Sequence, residues 1–187
     1  MKTRIIVDST ADLAPEIQSR VHVVPLTLHF GDQEYIDGVT IDHKTFYEKL
    51  IESDVLPTTS QGTPDAFMKE YEKAKVAGES AVVITLASQF SGTYQSAVIA
   101  AEDYPGKVHV VDSNTIALGL GILTDYALQL VDRGLSAEEI TWKLLQKRED
   151  IRLLALLDTL EYLKKGGRLS AAVAIAGGLL NIKPVIT

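Results

Sequence analysis

The run SAVVITLA, Ser80 to Ala87, constrains the fold more than any other stretch, because it is apolar almost throughout. A strand without alternation of polar and apolar residues is typical of a parallel sheet that is covered on both faces. Two further runs, TRIIVDST and KVHVVDSNT, are also rich in β-branched residues and have Asp-Ser close to their ends. Segments with helical spacing lie between such runs. The sequence therefore predicts an α/β fold, with a mainly parallel sheet and helices on both faces.

Other elements follow from turn and cap residues. VHVVPLTLHF is predicted as a single strand with Pro25 at an edge or a bend, and GDQEYIDGVTI as a hairpin. PTTSQ is predicted as a loop before a helix that begins at Thr63-Pro64 and ends at Gly78. Ser136 and Glu139 have the spacing of a capping box.

Composition narrows the classes of function. The net charge is −7 and the chain has no cysteine. These values disfavour a nucleic-acid binder and exclude thiolate chemistry and cysteine-ligated metals. Neither a signal-peptide core nor an apolar run of about 18 residues is present. We therefore expect a cytoplasmic protein that makes at most transient contact with membranes.

Hydroxyl-rich and acidic residues follow the apolar strands, and the carboxyl ends of parallel strands share the sheet edge where ligands bind. Because each of these loops precedes a helix, helix capping alone remains an alternative for any one of them. Their number favours a binding cleft at this edge. The loops are DST (Asp8 to Thr10), SQFSGT (Ser88 to Thr93), DSNT (Asp112 to Thr115) and, before a further helix, PTTSQ (Pro57 to Gln61).

The stretch SGT, Ser91 to Thr93, combines two hydroxyls and a glycine at the predicted start of a helix. A helix start offers backbone N–H groups that are free of intrahelical partners, together with the positive end of the dipole. Gly92 would let an oxygen approach the backbone closely. The predicted ligand group is therefore an anion, a carboxylate or a phosphate.

The motifs of common enzyme classes are missing. The chain has no GxxxxGK[ST], and no GxGxxG follows a strand, so a nucleotide site is not supported. GxSxG and SxxK are absent, and the four histidines are scattered. A Ser91-dependent hydrolase with a distant histidine and a module that senses an anion stay open as alternatives. KKGGRLS, Lys164 to Ser170, is either a helix end with favourably placed cations or a contact for phosphate or a partner.

Taken together, seven segments in order along the chain resemble the DegV family, the bacterial fatty-acid-binding proteins also called FakB. Each segment alone is weak evidence, but the ordered set is specific. The segments are VDSTADL (from Val7), VPLTL (from Val24), PTTSQGTP (from Pro57), SGTYQSA (from Ser91), VVDS (from Val110), LEYLKKGGRLS (from Leu160) and LLNIKPV (from Leu179).

The resemblance implies that the protein binds one long-chain fatty acid and presents it to a separate fatty acid kinase, which makes acyl phosphate for phospholipid synthesis. The binding protein would have no catalytic residues, metal or cofactor of its own. The resemblance assigns the carboxylate to Thr59 and Ser91, with help from the backbone N–H groups of Gly92 and Thr93. Ser60 is a weaker candidate.

Two departures from the family pattern are visible. Many relatives have proline where this chain has Gly62, so a looser loop is expected there. Family members are also usually much longer. We therefore expect an N-terminal α/β domain over residues 1–157, and over residues 158–187 the start of a second α/β domain that is truncated. The full-length protein is expected to be a monomer.

Overall fold

A four-stranded parallel sheet forms the centre of the computed structural model, which describes residues 2–53, 55–168 and 185–186. Its strands are β1 (Thr3–Asp8), β2 (His22–Val24), β6 (Ser80–Thr85) and β7 (Val108–Asp112), in the order β2-β1-β6-β7. Val7 of β1 pairs with Val23 on one side and with Ile84 on the other. All of β6 is buried, as its unbroken apolar sequence predicts.

Helices cover both faces of this sheet, which confirms the predicted fold class. On one face, α3 (Pro64–Val76) and α4 (Thr93–Ala101) pack against Ile6 and Val83. On the other face, α5 (Leu118–Asp132) and α6 (Ala137–Lys147) pack against Val7 and Ile84. Neighbouring strand residues thus serve opposite layers, and each buried aliphatic side chain stabilises the fold by about 1.5–3 kcal/mol.

The predicted single strand VHVVPLTLHF is wrong, because Pro25 divides it between two sheets. Its first half is β2 of the parallel sheet, and its second half is β3 (Thr27–Phe30). β3 lies between β4 (Gln33–Ile36) and β5 (Thr58–Ser60) in a three-stranded antiparallel sheet. The β3–β4 pair is a hairpin with Gly31 at positive φ in its turn. The predicted hairpin GDQEYIDGVTI is therefore only partly right, because it supplies β4 and the turn, while the partner strand β3 precedes it.

The predicted PTTSQ loop is also wrong, since Thr58–Ser60 form β5 and pair with β3. Other local predictions are confirmed. Thr63 caps α3 by accepting a hydrogen bond from the N–H of Ala66, and Pro64 is the first residue of that helix. Ser136 and Glu139 form both hydrogen bonds of the capping box.

Six further elements complete the described chain: the helices α1 (Pro15–Gln18), α2 (His43–Glu52) and α7 (Glu161–Lys165), a 3-10 helix (Arg148–Asp150), and the paired strands β8 (Ala155–Leu156) and β9 (Val185–Ile186). Of the predicted second-domain segment, residues 169–184, which include most of LLNIKPV, lie outside the described residues. No described helix is long and apolar enough to cross a membrane.

Candidate functional site

Ser91 stands just before α4, where the chain leaves the central strand β6. Gly92 is the N-cap residue of α4, and the Ser91 Oγ accepts a hydrogen bond from the N–H of Thr93 across 3.2 Å. Ser91 therefore caps the helix from one residue further back than an ordinary N-cap serine. The expectation of a fully free helix start is wrong in this respect, because the Thr93 N–H has a partner within the chain.

Thr93 is fully buried and connects two segments. Its Oγ1 lies 2.9 Å from the Ser91 Oγ and accepts a hydrogen bond from the N–H of Gly62 across 3.3 Å. The expected looseness at Gly62 is not seen, since this N–H, which a proline would lack, anchors the loop. A contact between Thr93 and a ligand stays a prediction.

Thr59 and Ser60 occupy successive positions of β5, and both are exposed. Successive side chains of a strand point to opposite faces, so a single ligand group cannot contact both from one side. Ser60 Oγ lies 2.8 Å from Nε2 of His29 on the neighbouring strand β3. The hydroxyl of Thr59 makes no hydrogen bond to any residue that the structure describes.

Gln61 brings the segments of Thr59 and Ser91 together. Its Nε2 donates a hydrogen bond of 2.8 Å to the Oγ of Ser96, which is buried in α4. Gln61 could not be predicted as a contact residue from the sequence, because a contact between residues 35 positions apart leaves no local signal. With the Gly62–Thr93 bond, it fixes the end of β5 against the start of α4.

The other two polar loops of the sheet edge are occupied by structural hydrogen bonds. Asp8 is buried at the end of β1, where its Oδ1 accepts from the N–H and hydroxyl of Thr10 and its Oδ2 accepts from the N–H of Leu86. Burial raises the pKa of the Asp8 carboxyl above its ordinary value, although these hydrogen bonds oppose the shift. Asp112 accepts from the N–H groups of Ser88 and Asn114. Both aspartates thus hold loops together, and neither caps a helix, because the N-cap residues of α1 and α5 are Ala14 and Ala117.

A cleft of about 420 Å³ opens beside the end of β1. Its polar lining residues include Asp8, Asp12, Asp37 and His43, and Leu118 is among its apolar residues. None of the five predicted site residues lines it. Volume alone does not make this cleft the anion site, because three carboxyl groups would repel an anion.

The KKGGR segment reaches the SGT loop. The guanidinium of Arg168 donates a hydrogen bond of 3.4 Å to the carbonyl of Phe90, the residue before Ser91, and another to the carbonyl of Gly166. Lys165 instead pairs with Glu161 on its own helix. Arg168 of this segment therefore lies near the predicted anion site. From the sequence alone, such a contact was one of two alternatives for these cations.

The geometry of the described residues gives little support to metal chemistry or to a Ser91-dependent hydrolase. In the part of the chain that the structure describes, no group of three or more histidine and acidic residues could hold a metal ion. The hydroxyl of Ser91 contacts Thr93, while His29 contacts Ser60. Among the described hydrogen bonds, therefore, no histidine activates Ser91 as a general base would.

Comparison with known proteins places the chain within one family. The family model described as "Uncharacterised protein, DegV family" matches residues 2–187. A DegV domain-containing protein of Caldanaerobacter subterraneus subsp. tengcongensis is 39% identical over all of this chain and 67% of its own length. A relative from Deinococcus radiodurans is 37% identical with the same coverage. The chain thus spans about two thirds of the length of these relatives.

Solved structures agree with this relationship. A DegV family protein of Thermus thermophilus, described by its fatty acid binding, superposes with a TM-score of 0.89 at 36% identity, over 99% of this chain and 67% of that one. DegV of Bacillus subtilis, described as a fatty acid binding protein, gives 0.86 at 33% identity with the same coverage. The Fatty Acid Kinase B3 protein of Streptococcus pneumoniae, loaded with linoleic acid, gives 0.85 at 30% identity, over 99% of this chain and 68% of that one.

Proposed function

Because the chain belongs to the DegV family, we propose that it binds a long-chain fatty acid whose carboxylate lies between the hydroxyls of Thr59 and Ser91. The observation that carries this proposal is the contact between their two segments. Gln61 reaches Ser96, and Gly62 reaches Thr93, so the end of β5 rests on the start of α4. The fatty acid itself is suggested by the similar proteins from Thermus thermophilus and Bacillus subtilis, which are described as binding one.

Thr59 is favoured over Ser60 for a geometric reason. Alternation along the extended strand directs Thr59 and Gln61 to one side and Ser60 to the other. Gln61 is the residue that contacts α4, whereas Ser60 contacts His29. In our proposal the Thr59 hydroxyl therefore lies on the side of β5 that is turned towards α4.

Ser91 retains a proton for the ligand. Its Oγ accepts a hydrogen bond from the N–H of Thr93, and in our proposal the Thr93 hydroxyl, 2.9 Å away, is the donor in its contact with Ser91. The Ser91 O–H is then able to donate to a carboxylate. A hydrogen bond to an ionised acceptor contributes about 1.5–3 kcal/mol. The helix dipole and the guanidinium of Arg168, which lies against Phe90, add a favourable potential for negative charge.

The acyl chain supplies most of the affinity, since burial of each CH₂ contributes about 0.8 kcal/mol. In our proposal the protein acts as a carrier and not as an enzyme. It presents the carboxylate to a separate kinase subunit for acyl-phosphate formation. The similar pneumococcal protein, named as a component of a fatty acid kinase, supports this role.

Titration with oleate tests the assignment. We expect Thr59→Ala and Ser91→Ala each to weaken binding about 10- to 100-fold, as loss of a charge-assisted hydrogen bond implies. Thr58→Ala, at an exposed neighbour on the other side of β5, is the matched control and should bind normally. Native mass spectrometry of the purified protein should detect a bound long-chain fatty acid. Unchanged affinity in both site variants would remove these residues from the site.

A further inference from the structure

The side chain of Gln61 spans the gap between the two segments of the proposed site. It leaves the end of β5 and reaches into the first turn of α4, where its Nε2 donates to the Oγ of Ser96 across 2.8 Å. Gln61 is exposed, but Ser96 is 2% exposed. The Gln61 amide thus attaches the exposed strand β5 to the buried hydroxyl of Ser96 in α4.

Gly92 makes room for this amide. A Cβ built on Gly92 would overlap the Oε1 of Gln61 and lie 2.8 Å from its Cδ. The backbone of Gly92 has φ −73° and ψ 3°, which other residues adopt without strain. A side chain at this position would therefore displace the flexible end of Gln61, so the glycine matters for the seat of this amide and not for the backbone conformation. A close approach of a ligand oxygen to Gly92 stays a prediction, and the end of the Gln61 side chain occupies the space that a side chain at position 92 would take.

We propose that Gln61, seated over Gly92 and hydrogen-bonded to Ser96, is a positioning residue that holds the Thr59 hydroxyl at the correct distance from Ser91. This inference rests on the proposed function, because it concerns the same carboxylate site. Gln61 does not itself contact the ligand. It acts through the strand that carries Thr59, two residues earlier in the chain.

The physical need for such a residue follows from the weak attachment of β5. The strand has three residues, all exposed, and pairs only with β3 among the described strands. A site of two hydroxyls works only if both stay within about 0.5 Å of the productive geometry. The Gln61–Ser96 bond supplies the constraint from the α4 side, next to the Gly62–Thr93 bond.

Amide hydrogen exchange tests the attachment without any ligand. In Gln61→Ala, Ser96→Ala and Gly92→Ala, we expect the amides of residues 58–61 to exchange about tenfold faster, as loss of one hydrogen bond of about 1.4 kcal/mol implies. Gly92→Ala belongs in this set because its Cβ would displace the Gln61 amide. Gln129→Ala, at an exposed glutamine of α5, is the matched control. Unchanged exchange in all three variants would overturn the proposal.

Oleate titration then tests the consequence for binding. Gln61→Ala and Gly92→Ala should each weaken binding about tenfold, and the double variant should bind no worse than either single variant, since both changes break one contact. In a Thr59→Ala background, Gln61→Ala should have little further effect. A full further loss there would mean that Gln61 acts on the ligand directly, which would overturn its positioning role.

These measurements separate the two proposals. If Thr59→Ala and Ser91→Ala weaken binding but Gln61→Ala does not, the site stands and the role of Gln61 is refuted. If exchange rises in the Gln61 variants while Thr59→Ala and Ser91→Ala bind oleate normally, the proposed carboxylate site is refuted, and with it the role of Gln61 in positioning Thr59. Unfolding by urea, measured for every variant, shows that each one is folded at the titration temperature.

Discussion

Thr93 accepts a hydrogen bond from the backbone N–H of Gly62 across 3.3 Å, and this contact joins the first residue of α4 to the chain just after β5. Both residues are buried, so neither group has water as a substitute partner. A buried N–H that loses its acceptor costs about 1–3 kcal/mol. The contact therefore contributes to stability as well as to the shape of the site.

We expect Thr93→Val to lower the free energy of unfolding by about 1–3 kcal/mol, because it leaves the Gly62 N–H without an acceptor. Thr93→Ser retains the hydroxyl and is the matched control. Its loss should be smaller and should reflect only the missing methyl group. Urea unfolding of both variants measures the difference, and equal losses would show that the hydrogen bond contributes nothing.

The buried carboxyl of Asp8 joins the end of β1 to the chain just after β6, and its contribution to stability can be tested separately. Asp8→Asn keeps the size of the side chain but removes an acceptor from the N–H of Leu86 or of Thr10. We expect a loss of about 2–4 kcal/mol in the free energy of unfolding. Asp12→Asn, at an exposed carboxylate of the same segment, should change it by less than about 0.5 kcal/mol. A small effect at Asp8 would contradict its structural role.

Glu79 should make stability depend on acid pH. Burial raises the pKa of its carboxyl, but the hydrogen bonds and charges of Arg4 and Lys2 outweigh this, so the pKa lies below its ordinary value of 4.5. The unfolded state then binds the proton more readily than the native state does. The stabilisation is complete above pH about 4.5 and is lost as the pH falls through the lower native pKa.

The measurement compares the wild type with Glu79→Gln between pH 3 and pH 7. We expect the difference in the free energy of unfolding between the two proteins to be largest near pH 7 and to shrink towards pH 3. A difference that is independent of pH would show that the carboxylate charge of Glu79 is not the source.

Replacement of Thr85 is expected to raise the free energy of unfolding, whereas the replacements of Thr93 and Asp8 are expected to lower it. Thr85 is fully buried at the end of β6, and its hydroxyl has no hydrogen-bond partner among the described residues. Thr85→Val removes an unsatisfied polar group and should raise the free energy of unfolding by about 1 kcal/mol. Thr124→Val, which breaks a hydrogen bond to the Leu120 carbonyl, is the control and should not stabilise. Thermal unfolding of the two variants checks the contrast.

The parts of the fold that local chemistry determines could be predicted from the sequence. The apolar run of β6 predicts a strand buried on both faces, and Thr63 with Pro64 predicts the start of α3; both are confirmed. The division at Pro25 could not be predicted, because β2 and β3 have similar compositions and differ only in which distant strand pairs with them. The strand β5 could not be predicted, because its three exposed hydroxyl residues show no apolar alternation.

The candidate site also has one part that the sequence predicts and another part that it does not. The position of Ser91 at the start of α4 follows from its neighbours in the sequence. The occupation of the Thr93 N–H by Ser91 and the fit of Gln61 over Gly92 depend on side-chain orientations. Such orientations are set by packing and by contacts between distant residues, for which a single sequence gives no pattern.

The contact between Gln61 and Ser96 also closes a loop, and that loop contains α3 and the central strand β6. A fatty acid held by both Thr59 and Ser91 would link the two ends of this loop. Binding of the fatty acid would then stabilise the whole sheet by mass action, because the fatty acid must be released before the sheet can unfold. A shift in melting temperature that grows with the concentration of added fatty acid would be the direct sign of this coupling.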